Sequence, residues 1–207
     1  LGTLLVASTA SRKMARMAAI RIRHLKKLCG APFKLSRWEW NFLLQGKLQL
    51  CNRAAPFRRG GAVSTKPRLD AFCAAIAAGA FAHMWFLSLE RNRLGDAQLT
   101  KVARALASCP MRELTHLDLG AGQYNRLMAA NSANPFSKAA NIIADDSMAA
   151  LCQASADGGL PRLEVLDVFN NQIGKAGARA LADACARRAM ARLRELWLNG
   201  NMVDDEG

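Results

Sequence analysis

Asp118 and Asp167 come closest to a chemical constellation in this chain, as the fourth residues after His/Val-Leu steps in two similar segments, T-H-L-D and E-V-L-D. Neighbouring strands lie about 4.8 Å apart, so two acids in one strand column could sit side by side. Paired carboxylates do acid–base work when their environments push their pKa values apart. The plainer reading, two solvated acids on a binding face, is the stronger one. His24, His83 and His116 are scattered, and only His116 projects from a strand segment, where a surface contact is commoner than a base. Asp145, Asp146, Asp204 and Asp205 resemble calcium ligands superficially, but they occupy a turn position that elsewhere carries Gly95-Asp96. Gly60-Gly61 and Gly158-Gly159 lack the following residues of a phosphate-binding loop. Cys29, Cys51, Cys73, Cys109, Cys152 and Cys185 form no C-x-x-C pair. Buried free thiols in a reducing compartment are the expectation for them. We therefore expect no catalytic residue, no metal and no cofactor.

The elements that position these residues come from an internal repeat. Four segments share the pattern L-x-x-L-x-L-x-x-N: Met84 to Asp96 (MWFLSLERNRLGD), Leu114 to Gly122 (LTHLDLGAG), Leu163 to Lys175 (LEVLDVFNNQIGK) and Leu193 to Asp205 (LRELWLNGNMVDD). Met84, Gly122 and Val168 are departures from it. Leu87 to Leu117 and Leu166 to Leu196 are each 30 residues, while Leu117 to Leu166 is 49, an excess of 19. That insertion, near 122–140, contains Asn131, Ser132, Asn134, Pro135 and Ser137, a loop composition. The pattern resumes at Asn141 and Ile143. Between the strand segments, Phe72 to Ile76, Val102 to Leu106, Leu151 to Ser155 and Leu181 to Cys185 share one phase and read as helices, each 15 residues before the next strand leucine. Leucines that alternate along a strand face one way, and a single repeat cannot cover them without neighbours.

The run L-x-x-L-x-L-x-x-N-x-I-G-x-x-G-x-x-x-L-A-x-A at Leu163 to Ala184 resembles the leucine-rich repeats of the ribonuclease-inhibitor-like subfamily, and the resemblance covers about two thirds of the chain. It implies a short α/β solenoid, parallel strands on the concave face and helices on the convex face, used to bind another protein. The Asn at the end of each strand (Asn92, Asn141, Asn171, Asn201) is then expected to form a ladder of bonds to the backbone. Ran GTPase-activating proteins share this repeat type. That alternative needs an arginine or asparagine presented to a nucleotide, and Arg91 and Asn170 sit at loop-side positions read as exposed.

Charge divides the chain. Residues 1–66 hold 14 Lys/Arg and one acid, Glu39, whereas 67–207 hold 15 of each sign, so the net +13 lies in the first third. We read 1–66 as a basic N-terminal extension and linker, disordered in part or targeting, and 67–207 as about 3.5 repeats. Residues 12–28 place Met14, Met17, Ile20 or Arg21, Leu25 and Leu28 at helical spacing among Arg and Lys. A transit peptide, an anionic-membrane helix and a nucleic-acid arm all suit that composition. An unstructured extension, or sequence ahead of a start at Met14 or Met17, suits it equally. The stretch Leu35 to Leu50 alternates in part and can pack as a short helix or strand against the first repeat, with Trp38 and Trp40 more readily packing than recognising. Arg53 to Lys66 reads as a linker. The chain starts at Leu1 and ends at Gly207 after a strand segment without its helix, so we expect a piece of a longer frame, truncated at its C-terminus.

The expected function is protein recognition, as a scaffold or sensor segment. Exposed strand positions would form three columns: Phe86, His116, Val165, Glu195; Ser88, Asp118, Asp167, Trp197; and Glu90, Gly120, Phe169, Asn199. With Arg91, they are the expected contact residues. Trp197 and Phe169 are the natural anchors, and the acids favour a partner with a basic surface or the chain's own N-terminus. Nucleic acid or an anionic membrane would engage only residues 12–66. Location inside the cell, in the cytoplasm, is expected, or in an organelle if residues 1–40 are a transit peptide.

Overall fold

The computed structural model describes residues 47–49, 66–121 and 140–204. The basic helix expected at 12–28, Trp38, Trp40, most of the linker before Lys66 and nearly all of the insertion lie outside them. Five three-residue strands, β1 (Lys47–Gln49), β2 (Phe86–Ser88), β3 (His116–Asp118), β4 (Val165–Asp167) and β5 (Glu195–Trp197), form one parallel sheet in sequence order. Four helices separate or precede them: α1 (Lys66–Ala77), α2 (Asp96–Ser108), α3 (Asp145–Ala156) and α4 (Lys175–Ala186). None is long and apolar enough to cross a membrane.

Register follows the leucines. Leu87, Leu117, Leu166 and Leu196 are successive partners across β2 to β5. One layer of helices lies against the leucine side. Leu87, Leu89, Leu117, Leu119, Leu166 and Val168 join Phe72, Ile76, Leu99, Val102, Leu106, Met148, Leu151 and Leu181 in one core. In α2 the buried Leu99, Val102, Ala103 and Leu106 recur three and four residues apart, the spacing of a single apolar stripe. Leu196 faces the same way but is 40% exposed, because no described element packs beyond β5.

β1 lies inside the segment read as a basic extension. Leu48 partners Leu87 in parallel, so the sheet begins ahead of residue 67 and the domain boundary at 66/67 does not mark its edge.

Helix starts are tied together from one repeat to the next. The residues preceding α3 and α4, Ala144 and Gly174, have no capping side chain. Instead Asp96 Oδ1 accepts from the Ala144 and Ser147 N–H groups (3.0 and 3.3 Å) and from the Ser147 hydroxyl (2.6 Å). Asp145 Oδ1 accepts from the Gly174 and Gly177 N–H groups at 2.7 and 2.9 Å. Each aspartate at the first position of one helix thus satisfies the orphan donors of the next, with favourable dipole electrostatics. Gly177 is required by this arrangement, since a Cβ there would lie 2.7 Å from Asp145 Oδ1 and 2.8 Å from Ile173 Cγ2.

Candidate functional site: the outward face of the sheet

The turn that leaves each strand fixes what the outward face presents. Asn141 is buried where β3 gives way to the next turn. Its Oδ1 accepts from the Asn92 and Leu94 N–H groups (2.9 and 3.0 Å), and its Nδ2 donates to the Leu89, Leu119 and Gly120 carbonyls (3.0, 3.0 and 3.3 Å). Asn171 repeats this one strand on, accepting from Ile143 N–H and donating to the Leu119 and Val168 carbonyls. Asn201 accepts from Ile173 N–H and donates to the Val168 and Leu198 carbonyls. Asn92 Nδ2 donates to the Leu89 carbonyl. The four asparagines therefore bind each turn to its own strand, and Asn141, Asn171 and Asn201 also bind it to the preceding repeat.

Sheet register brings the expected columns together. Phe86, His116, Val165 and Glu195 are successive partners, as are Ser88, Asp118, Asp167 and Trp197. Asp118 is oriented at both oxygens: Oδ2 accepts from the Ser88 hydroxyl at 2.7 Å and Oδ1 from the Gly120 N–H at 3.0 Å. Asp167 Oδ1 accepts from the Phe169 N–H at 2.8 Å. Both carboxylates close on Gly120, where a Cβ would lie 3.3 Å from Asp167 Oδ1 and 3.4 Å from Asp118 Oδ1. Burial holds the Asp167 carboxyl above the usual aspartate range; the Phe169 N–H opposes that shift and the Asp118 charge adds to it. The two acids are held by backbone and hydroxyl donors, which is the arrangement of oriented surface acids.

Exposure differs along the columns: Gly120, expected on the open face, is buried, and the β5 members are the open ones, no described element packing beyond that strand. Asp118, Asp167 and Phe169 are half-buried, whereas Glu195 and Asn199 are exposed and Trp197 is 50% exposed. Three further expectations need correction. Ser88 is fully buried, because its short side chain lies against the sheet and its hydroxyl is bonded to Asp118. Arg91 and Asn170, expected at exposed loop-side positions, are each only 8% exposed. Both adopt positive φ (58° and 56°), which turns the chain as it leaves the strand. Their N–H groups bond to the Gly120 and Asn199 carbonyls of the next repeat. Asn170 packs so closely on Gly200 that a Cβ at Gly200 would overlap its side-chain amide oxygen. Neither side chain is presented at a rim, as a nucleotide-directed residue would have to be.

Trp85 was missed by sequence reasoning. Its ring meets His116 edge-on at 5.5 Å and Phe86 at 5.8 Å, and Phe86 lies 6.2 Å from His116. Thr115 links the group, donating from its hydroxyl to the Trp85 carbonyl at 3.0 Å and lying 2.8 Å from His116 Nδ1. Trp85 and Thr115 occupy the position just before the strand in successive repeats, and that shared phase was the available signal.

The cysteines do not all follow the expected burial. Cys152 is buried, Cys73 and Cys109 are partly covered, and Cys185 is exposed. Cys109 follows α2 as its C-cap instead of lying within it, and Cys185 falls on the outer side of α4. Burial pushes the Cys73 and Cys152 thiols up to about 11, which keeps them protonated near neutral pH.

A family model described as Leucine Rich repeat matches residues 160–182, spanning β4, the turn with Asn171 and the first two turns of α4. A comparison of the chain with curated proteins finds no match.

Proposed function

We propose, with the leucine-rich repeat at 160–182 as premise, that this chain is a protein-recognition module working inside the cell, and that the outward face of β2 to β5 is its contact surface. Leucine-rich repeats are in general protein–protein interaction modules. The finer reading is a short solenoid of the ribonuclease-inhibitor-like subfamily, with this face concave and its partner bearing a basic surface. One observation carries it: an in-register sheet face that combines half-buried acids with the aromatic rings of Phe86, Phe169 and Trp197. Aromatic side chains that are held on a rigid frame lose little entropy when they become anchors. Phe169 and Trp197 supply the apolar contact, while Glu90, Asp118, Asp167 and Glu195 steer an oppositely charged surface toward it.

The test is quantitative affinity capture with the full chain, followed by titration of each captured protein against variants. Trp197→Ala is expected to weaken the specific partner by about 30-fold, the effect of a hot spot of about 2 kcal/mol. Gln153→Ala, at an exposed position of α3, is expected to leave it unchanged. A partner that binds both variants as it binds the parent would refute the assignment of this face. Binding that vanishes steeply with salt and ignores Trp197 would assign recognition to the basic N-terminal segment instead.

A further inference from the structure

The turn that leads from α4 into β5 differs in charge from its counterpart one repeat earlier. Residues 187–194 (RRAMARLR) hold Arg187, Arg188, Arg192 and Arg194 and no acid. The matching turn before β4, residues 157–164 (DGGLPRLE), holds one arginine and two acids. Its arginine, Arg162, pairs with Glu113 at 2.8 Å. All four arginines before β5 are exposed. Among the described residues none of the four has an acid within ion-pair distance. Arg187 donates from Nε to the Asp183 carbonyl at 3.2 Å, a backbone acceptor that leaves its charge uncompensated.

The backbone that carries them is fixed. Met190 is buried, the Ala189 carbonyl accepts from the Ser155 hydroxyl at 2.8 Å, and the Arg194 N–H donates to the Glu164 carbonyl at 2.8 Å. Arg188 adopts φ 59°, at the place where two other repeats have Gly79 (φ 73°) and Gly158 (φ 84°). That region favours glycine, so an arginine there costs backbone energy that no ion pair of its side chain offsets. The carbonyl end of α4 suits cations at Arg187 and Arg188. Arg192 and Arg194 lie beyond Met190, outside the last turn of α4, so the helix does not account for them.

We infer that the turn at 187–194 is a docking site for a short acidic segment of a partner protein, with carboxylates on the exposed guanidinium groups. Arginine presents a planar fork that matches a carboxylate at both oxygens, and a fixed backbone lowers the ordering cost of the contact. The surroundings limit the length of the occupant. Asp157 and Glu164 stand on the preceding repeat, and Asp183 and Glu195 flank the turn along the chain. A long phosphate backbone would have to run past these acids, whereas a segment of a few carboxylates ends before them. The site uses none of the contact residues proposed on the outward face of the sheet and stands independently of that reading.

The test is modification of arginines in the full chain by a dicarbonyl reagent, read residue by residue by mass spectrometry, with and without a hexa-aspartate peptide. Modification of Arg187, Arg188, Arg192 and Arg194 is expected to slow together, by about threefold at twice the dissociation constant of the peptide. Arg104 on α2 and Arg179 on α4 are exposed as well and are expected to react as before. Raising salt to about 0.5 M should remove the protection. Protection that is as strong at Arg104 and Arg179, or absent from the four, would overturn the inference. Arg188→Gly is expected to keep the thermal midpoint of the parent, since glycine takes that φ freely, and to weaken protection of Arg192 and Arg194. Protection untouched by this variant would show that the four do not act as one site and would count against the inference. An oligothymidylate that protects the four where hexa-aspartate does not would assign the turn to a phosphate backbone and sink the acidic-segment reading.

Discussion

Replacing Asn141 by alanine is expected to cost far more than replacing Asn201, although both occupy the same position of the repeat. Asn141 is 1% exposed and makes five bonds to backbone. Its loss is not felt equally by its partners. The Leu89 carbonyl keeps the Asn92 amide as a donor (3.0 Å), and the Leu119 carbonyl keeps that of Asn171 (3.2 Å). The Asn92 and Leu94 N–H groups both lose their acceptor at once. A buried donor left unsatisfied costs about 1–3 kcal/mol, so Asn141→Ala should destabilise the fold by about 3–5 kcal/mol once lost packing is included. Asn201 lies at the outer strand and is partly exposed, so water can replace its bonds to Ile173, Val168 and Leu198. About 1 kcal/mol is expected there. Urea unfolding followed by circular dichroism should move the midpoint by roughly 1–2 M for Asn141→Ala, and by less than half that for Asn201→Ala. Equal shifts for the two variants would refute the reasoning, because burial of the satisfied donors is the only physical difference it invokes.

Two further substitutions test the remaining parts of the frame. Asp145→Ala removes the acceptor shared by the Gly174 and Gly177 N–H groups at the start of α4, and should cost about 1–2 kcal/mol. Amide exchange at those two glycines should accelerate, and unchanged exchange there would remove Asp145 as the cap. Asp167→Asn keeps an oxygen for the Phe169 N–H while removing the charge beside Asp118. It should be neutral or stabilising at pH 7 by up to about 1 kcal/mol, a modest figure because the group is partly exposed to solvent. The sign follows from a folded-state pKa raised above 3.8: protonation favours the folded state, so the parent gains stability as pH falls through that raised pKa, and the gain is complete below 3.8. The advantage of the Asn variant should therefore shrink over that interval, and an advantage that grows with acidity would contradict the assigned shift.

The sequence was informative where side-chain type follows directly from the period. Leucines 30 residues apart became lateral partners because a parallel sheet with in-register strands converts sequence period into position. The asparagines were legible for the same reason: an amide with both a donor and an acceptor is what a buried turn between two strands requires. Depth was not legible. Alternation places Ser88 and Asp118 on one side of the sheet, but it does not say that Ser88 donates to Asp118 and is thereby covered. Nor does it reveal that Arg91 and Asn170 turn at positive φ onto the neighbouring loop. β1 falls within Leu35 to Leu50, read as a short helix or strand against the first repeat; the alternation of Leu48 and Leu50 suited a strand, but its pairing with β2 is a backbone property that side-chain pattern alone does not decide. Asp96 and Asp145 were read as turn residues, and their bonds to the following helix depend on contacts about 30 to 50 positions away.

On the proposed contact surface, apolar and charged groups are unequally placed. In the Ser88–Asp118–Asp167–Trp197 column, the β2 member is sealed, the two central acids are half-covered and already oriented, and the β5 member offers an open indole. Apolar contact yields most where a large side chain is still in water before binding, which is the ground for taking Phe169 and Trp197 as anchors. Charge acts over roughly a Debye length, about 8–10 Å at moderate salt, so the central acids influence both ends of the sheet. On the proposed reading, association with a basic partner is expected to be sensitive to salt, while dissociation depends chiefly on Trp197. Rim and steering charges act mostly on the on-rate and desolvated anchors on the off-rate, so the two halves of the face are separable by kinetics even where equilibrium affinity mixes them.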